Sequence, residues 1–396
     1  MKIYTALLLL ITQSITAQNI WTQKNNFGGI SRDDGVGFSI NGKGYSGTGR
    51  DVNFAFTKDF WQYDPVLDAW SQVADLPGVA RQYAVAFTVN QKGYVVGGVN
   101  TSVLNDVWEY DAASNAWTAK NDFGGAARSG AVAFVIGNYA YVGTGKDGST
   151  YLSDVWQYEA AADIWGQVTS FPGTARWVAS AFAIGAKGYM GTGSNPSNIF
   201  NNDFYEYDAS SNSWAQKNSL PVNAARQYAE GFAINNFGYI ATGHDTNHIY
   251  QNDCWQYDPF NDAWLQVASI NAAGRKGVLS FVINNNAYVC TGIDSFNTRL
   301  NEVWEYTPFT GLKENNTYNE MTLIYLYSGT IQVRLPGKLN NISVEVYSEE
   351  GKIVFAEGYS NTDFIKVPSS SLVRGIYIVK VFEQEKILKA GKIVLL

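Results

Sequence analysis

Arg81-Gln82-Tyr83-Ala84-Val85-Ala86-Phe87-Thr88-Val89, continuing through Gly93-Tyr94-Val95-Val96-Gly97-Gly98 to Asp106-Val107-Trp108-Glu109-Tyr110 and Trp117, is one copy of a unit that occurs six times. The opening arginine recurs at Arg32, Arg128, Arg176, Arg226 and Arg275, with spacings of 49, 47, 48, 50 and 49 along the series. Six residues after each arginine stands a phenylalanine: Phe38, Phe87, Phe134, Phe182, Phe232 and Phe281. A glycine-bearing turn follows, as Gly47-Thr48-Gly49 in the first copy and Gly97-Gly98 in the second. Then comes an acid two positions ahead of an aromatic-x-Tyr strand, at Asp59, Asp106, Asp154, Asp203, Asp253 and Glu302. A period of 40 to 50 residues built of short strands and turns is the mark of a radially repeated β-fold, and this pattern overrides any element-by-element reading.

The ends of the array show how it closes. Trp70, Trp117, Trp165, Trp214 and Trp264 complete the first five copies, whereas the sixth has Lys313 where its tryptophan is due. Trp21 lies 11 residues before Arg32, the distance from Trp70 to Arg81. The N-terminal segment therefore supplies the outer strand that the last unit lacks, and six units close into a ring without free sheet edges.

These features resemble the kelch repeat family, whose pattern is a glycine pair after one strand and then a spaced tyrosine and tryptophan. The resemblance implies an all-β, six-bladed kelch β-propeller over residues 19–309. Tryptophan (12), tyrosine (25), phenylalanine (21) and glycine (38) are abundant in the 396 residues, a bias toward strands and turns.

The chain carries a formal charge of −7, and the acidity lies before Thr310. Phosphate binding needs a basic face, so nucleic acid is not an expected partner. Residues 1–17, with Lys2, an apolar run from Ala6 to Ile11 and small residues up to Ala17, read as a signal peptide, and no run is long enough to span a bilayer as a helix. Cys254 and Cys290 are expected to be buried as small apolar residues, with a bridge between them the lesser alternative.

After a linker at 310–321, residues 322–396 change to alternating strands such as Ile331-Gln332-Val333-Arg334-Leu335 and Ile342-Ser343-Val344-Glu345-Val346, the period of a small, immunoglobulin-like β-sandwich. The stretch Gly375-Ile376-Tyr377-Ile378-Val379-Lys380-Val381, followed by Lys389 and Lys392, resembles the sorting domain read by the type IX secretion system. That resemblance implies passage through the periplasm to the cell surface or beyond, with the type IX machinery as a partner.

Candidate site residues fall on one face. The arginine column, Arg32, Arg81, Arg128, Arg176, Arg226 and Arg275, is expected near the central mouth, where guanidiniums either bind an anionic ligand or pair with carboxylates between blades. Trp177 is the one tryptophan outside the repeat framework, and with Tyr83 and Tyr228 it stands just after an arginine. Phe54, Phe56, Tyr151, Phe200, Tyr250 and Phe296 lie in the loops after the glycine turns, where flat faces suit sugars or protein loops. Four residues after the arginines the series reads Val36, Val85, Val132, Ser180, Glu230 and Leu279, so Glu230 is the candidate acid or base, with Arg226 nearby as its expected partner. The kelch relatives include galactose oxidase, whose copper site needs two histidines, two tyrosines and a cysteine linked to one tyrosine. This chain offers only His244 and His248, expected to be solvated loop residues and at most a weak metal pair with Asp245 and Asp253, so no metal or other cofactor is expected. The expected function is an exported binding protein for an extracellular glycan or protein. The alternatives are a sugar-acid enzyme of the sialic acid epimerase type, with Arg226 or Arg176 holding the carboxylate, and a purely structural surface protein.

Overall fold

A polar turn residue and the tyrosine before it explain how each repeat folds back on itself. Asp68, Asn115, Asp163, Asn212 and Asp262 all adopt the left-handed backbone conformation that tight turns require and that Asn and Asp tolerate. Each also accepts a hydrogen bond from the hydroxyl of the tyrosine five residues earlier, as in Tyr63 to Asp68 at 2.7 Å and Tyr110 to Asn115 at 2.8 Å. The result is a four-stranded antiparallel sheet per repeat; in blade 2 it comprises Val85–Val89, Lys92–Val96, Val107–Asp111 and Ala116–Lys120 from the centre outward.

The computed structural model describes residues 19–308, 323–327, 330–348, 351–368, 372, 375–384 and 386–395. The expected signal peptide and linker lie outside them. Asn19–Pro308 forms one compact unit, and the described residues after it belong to a second.

Six blades make the first unit. Ile20–Lys24 pairs with Val303–Thr307 as the outer strand of blade 6, with Trp21 opposite Tyr306, so the ring closes as the position of Trp21 requires. Neighbouring blades interlock through the phenylalanine column. A side chain at Gly93 would stand 2.2 Å from the ring of Phe38 in blade 1, so only glycine there lets the two sheets approach.

Two concentric rings of backbone hydrogen bonds tie the blades together near the mouth. In the outer ring the glycine ending each turn donates to the carbonyl of the next blade's arginine, from Gly49 to Arg81 at 2.7 Å round to Gly292 and Arg32 at 2.9 Å. Those glycines have φ between +83 and +102°, and the residue before each is also left-handed: Thr48, Gly97, Thr144, Thr192, Thr242 and Thr291. In the inner ring Asp34, Tyr83, Gly130, Val178, Tyr228 and Gly277, all left-handed, each donate their N–H to the carbonyl of the preceding member, and Asp34 completes the circle on Gly277 at 2.8 Å. No side chain is needed for that ring, so its six positions vary freely.

In the second unit a three-stranded sheet (Leu323–Tyr327, Thr330–Leu339, Thr362–Val367) and a four-stranded sheet (Ile342–Ser348, Ile353–Tyr359, Gly375–Glu383, Lys386–Leu395) share one core. Ile331, Val333, Val344, Val346, Val379 and Val381 are buried in it, the alternation expected of a small sandwich.

The central channel and its mouth as a candidate site

The six arginines are buried, and each is committed within its own blade. Arg32, Arg81, Arg128, Arg176 and Arg226 each clamp the acid of the aromatic-x-Tyr strand with two hydrogen bonds of 2.5 to 2.9 Å. Their Nε and Nη1 groups also reach backbone carbonyls, as those of Arg176 do at Thr174 and Thr192. In blades 1, 2, 3 and 5 the acid in turn accepts from the indole of the tryptophan two residues on, as Asp59 does from Trp61, while blade 4 has Tyr205 in that place. Burial works to raise the Asp59, Asp106 and Asp154 carboxyls, but the arginine and tryptophan hydrogen bonds outweigh it, and all three titrate below the ordinary range. These guanidiniums are buried and spend their hydrogen bonds inside their own blades, which argues for a structural role of the arginine column and against Arg176 or Arg226 holding a substrate carboxylate. Blade 6 is the imperfect copy: Arg275 makes one bond of 2.6 Å to Glu302, and its Nη1 has no partner.

Tyr83, Trp177 and Tyr228 do come together. Their blades are the second, fourth and fifth of six, so the side chains must reach inward across the mouth to meet. The Tyr83 and Tyr228 hydroxyls stand 3.5 Å apart, and Trp177 packs edgewise on both rings at 5.1 and 5.4 Å. Gly130 makes room for the indole, since a side chain there would stand 2.0 Å from Trp177 Nε1. That N–H is buried without a partner. Asp34 completes the group, lying over Gly277 and hydrogen-bonded to Tyr83. Burial and the charge of Asp33 push its carboxyl well above the usual range, against the pull of Tyr83, Lys276 and Arg299. Asp34 was missed at the sequence level, yet the column two places after the arginines, Asp34, Tyr83, Gly130, Val178, Tyr228 and Gly277, is irregular enough to have exposed it.

Beneath these side chains a channel of about 450 Å³ runs along the inner strands, lined largely by small residues such as Gly35, Ala84, Ala131 and Ala181. Glu230 borders it. Enclosure by the protein pushes its carboxyl up to about 7, although a 2.8 Å hydrogen bond from the Ser280 hydroxyl of the next blade works the other way. The expected partner Arg226 is bound to Asp253 instead, so Glu230 has a neutral neighbour.

A family model described as the Attractin/LZTR1 beta-propeller matches residues 44–299, most of the chain. The chain belongs to that propeller family. A second model, the secretion system C-terminal sorting domain, matches residues 327–395 and marks this Attractin/LZTR1-type propeller for type IX export to the cell surface or the outside. Its fold is also that of the solved structure titled "Structure of YjhT", at 17% identity and a TM-score of 0.62, over 72% of this chain and 97% of that one. No curated protein matches significantly. Among the described residues no helix is long and apolar enough to cross a membrane.

One of the two histidines of this propeller departs from expectation. His248 is exposed, but His244 is buried, with Nε2 2.7 Å from the Gln227 amide and the rings of Phe200, Tyr228 and Tyr250 around it. Burial, the Lys276 charge and His248 lower its pKa to about 4, so it is neutral at physiological pH. Among the described residues no three metal-ligating side chains converge. Cys254 and Cys290 are both buried free thiols, pushed up by burial.

Proposed function

We propose that the chain is an exported binding protein whose mouth, at Tyr83, Trp177 and Tyr228, takes an extracellular glycan or protein. The observation that carries this reading is the meeting of three aromatic side chains from blades 2, 4 and 5: Tyr83 and Tyr228 on the ring that backbone alone closes, and Trp177, the one tryptophan outside the repeat framework, beside it. Packing of the blades does not require them, and flat amphipathic faces on a rigid rim are the usual means of gripping sugars and protein loops. A glycan array probed with the full exported chain tests the reading. Binding that disappears in Trp177→Ala and Tyr228→Ala supports it, whereas hits unaffected by both variants count against it.

A second reading, a sugar-acid enzyme with Glu230 as acid or base, draws on a channel carboxyl that titrates near 7, where proton transfer in both directions is easy. It predicts that Glu230→Gln abolishes turnover and leaves binding intact. If no interaction depends on the mouth or on Glu230, the protein is an architectural component of the surface.

A further inference from the structure

Nearly every cation of the propeller is matched to an anion. Among the described residues of the ring, only Arg50, Lys58, Lys146 and Lys276 lack a carboxylate within 4.0 Å. Three of those four stand at the mouth, and each of the three lies over aromatic rings. The Arg50 guanidinium is 5.2 Å from the centre of Phe54 and 5.8 Å from Phe56. The Lys146 ammonium is 5.1 Å from Tyr151, and that of Lys276 is 4.7 Å from Tyr228 and 5.1 Å from Tyr250. Arg299, whose Nε binds Asp33 at 2.6 Å, also lies 4.8 Å from Phe54.

Phe54 itself is held at a cost. It has φ +61° and is 62% exposed, and the equivalent places in the three similar loops are Asn198, His248 and Asn297. A bulky side chain in the left-handed region is strained, and strain of this kind persists where the surroundings or a function hold it. Burial and the neighbouring Asp33 raise the Asp34 carboxyl and so work against its ionisation.

We infer that the mouth recognises carboxylated sugars, a uronic-acid-type glycan, with Arg50, Lys146 and Lys276 taking the carboxylates and Phe54, Tyr151, Tyr228 and Tyr250 the ring faces. This rests on the glycan form of the binding reading. The chemistry favours a uronate over an acidic peptide. In a uronate the carboxylate is bonded directly to a ring whose C–H face stacks on aromatics, so charge and flat face arrive together, as they are presented here. A glutamate side chain brings its charge on a flexible arm with no such face.

The test is calorimetric titration of the full exported chain with oligogalacturonate and oligoalginate, against a neutral hexasaccharide and a short polyglutamate, across a salt series. Arg50→Gln, Lys146→Gln and Lys276→Gln are compared with Lys187→Gln at the far end of blade 4, with thermal melts to confirm that each variant folds. The expected result is uronate binding that weakens with salt and falls about fivefold or more in each mouth variant, unchanged in Lys187→Gln. Equal binding of the neutral sugar, lost in Trp177→Ala, overturns the uronate inference and leaves the glycan-binding mouth standing. Polyglutamate binding at least as tightly replaces it with an acidic protein partner. Failure of every probe overturns the inference and removes the sugar form of the binding reading with it.

Discussion

The hydroxyls of Tyr83 and Tyr228, 145 residues apart in sequence and on opposite blades, meet at 3.5 Å across the mouth of the channel. Their ring centres are 5.9 Å apart, and Trp177 braces both. Such contacts are worth about 0.5–1.5 kcal/mol beyond area burial. A double-mutant cycle of Tyr83→Ala and Tyr228→Ala, followed by chemical denaturation, should return a coupling energy in that range. Strictly additive losses would mean that the two rings do not support each other.

The arginine column makes a stability prediction. Arg176→Ala leaves Asp203 without its clamp and opens the blade at Thr174 and Thr192, so it should cost about 3 kcal/mol or more, read as a large fall in Tm. Binding by whatever protein remains folded should be unchanged.

Blade 6 runs the same experiment in reverse. Glu302 stands where the other blades have aspartate, its bond from Trp304 is 3.1 Å against about 2.7 Å elsewhere, and Arg275 Nη1 is left over. Glu302→Asp should restore the two-pronged clamp and stabilise the fold by up to about 1 kcal/mol in equilibrium denaturation. A loss of stability would show that the longer side chain suits this blade.

The left-handed threonines carry avoidable strain. Thr242 has φ +64° and a buried hydroxyl without a partner, whereas blade 2 has Gly97 in the same place. Thr242→Gly removes a conformational cost of about 1–2 kcal/mol, offset in part by the greater freedom of glycine in the unfolded chain. The expected net change is a rise in Tm, and a fall would assign Thr242 a packing role larger than its strain.

Glu230 sets a pH dependence. Its carboxyl titrates at about 7 in the fold, above the ordinary value of 4.5, so the folded protein holds the extra proton between those pH values. Its contribution is therefore fully present below about pH 4.5 and is lost as pH rises through 7, a change on the order of 2 kcal/mol once channel hydration is allowed for. Melts of wild type and Glu230→Gln at several pH values should coincide most closely at acid pH and diverge toward pH 8, with the variant more stable there. Parallel curves would show that water in the channel solvates the carboxylate fully.

The sequence alone determined the blades, their number and the closure by Trp21, because these depend on contacts that recur at a constant offset: tyrosine to the turn residue five places on in blades 1 to 5, phenylalanine against a glycine or alanine of the next blade, arginine and acid in every copy. Repetition makes such contacts legible, since one copy after another repeats the same evidence. What the arginines bind was open at that level, because a guanidinium at a mouth and one clamped inside a blade have the same spacing. Arg226 and Glu230 lie four residues apart, yet they turn to different partners, Asp253 and Ser280, one within the blade and the other across to the next. Only the tertiary structure decided these points and brought Asp34, Tyr83, Trp177 and Tyr228 together. The inner ring is held by backbone alone, so Asp34, Tyr83 and Tyr228 on it obey no repeat, and their meeting with Trp177 from the adjoining column follows from the geometry of six blades about one axis.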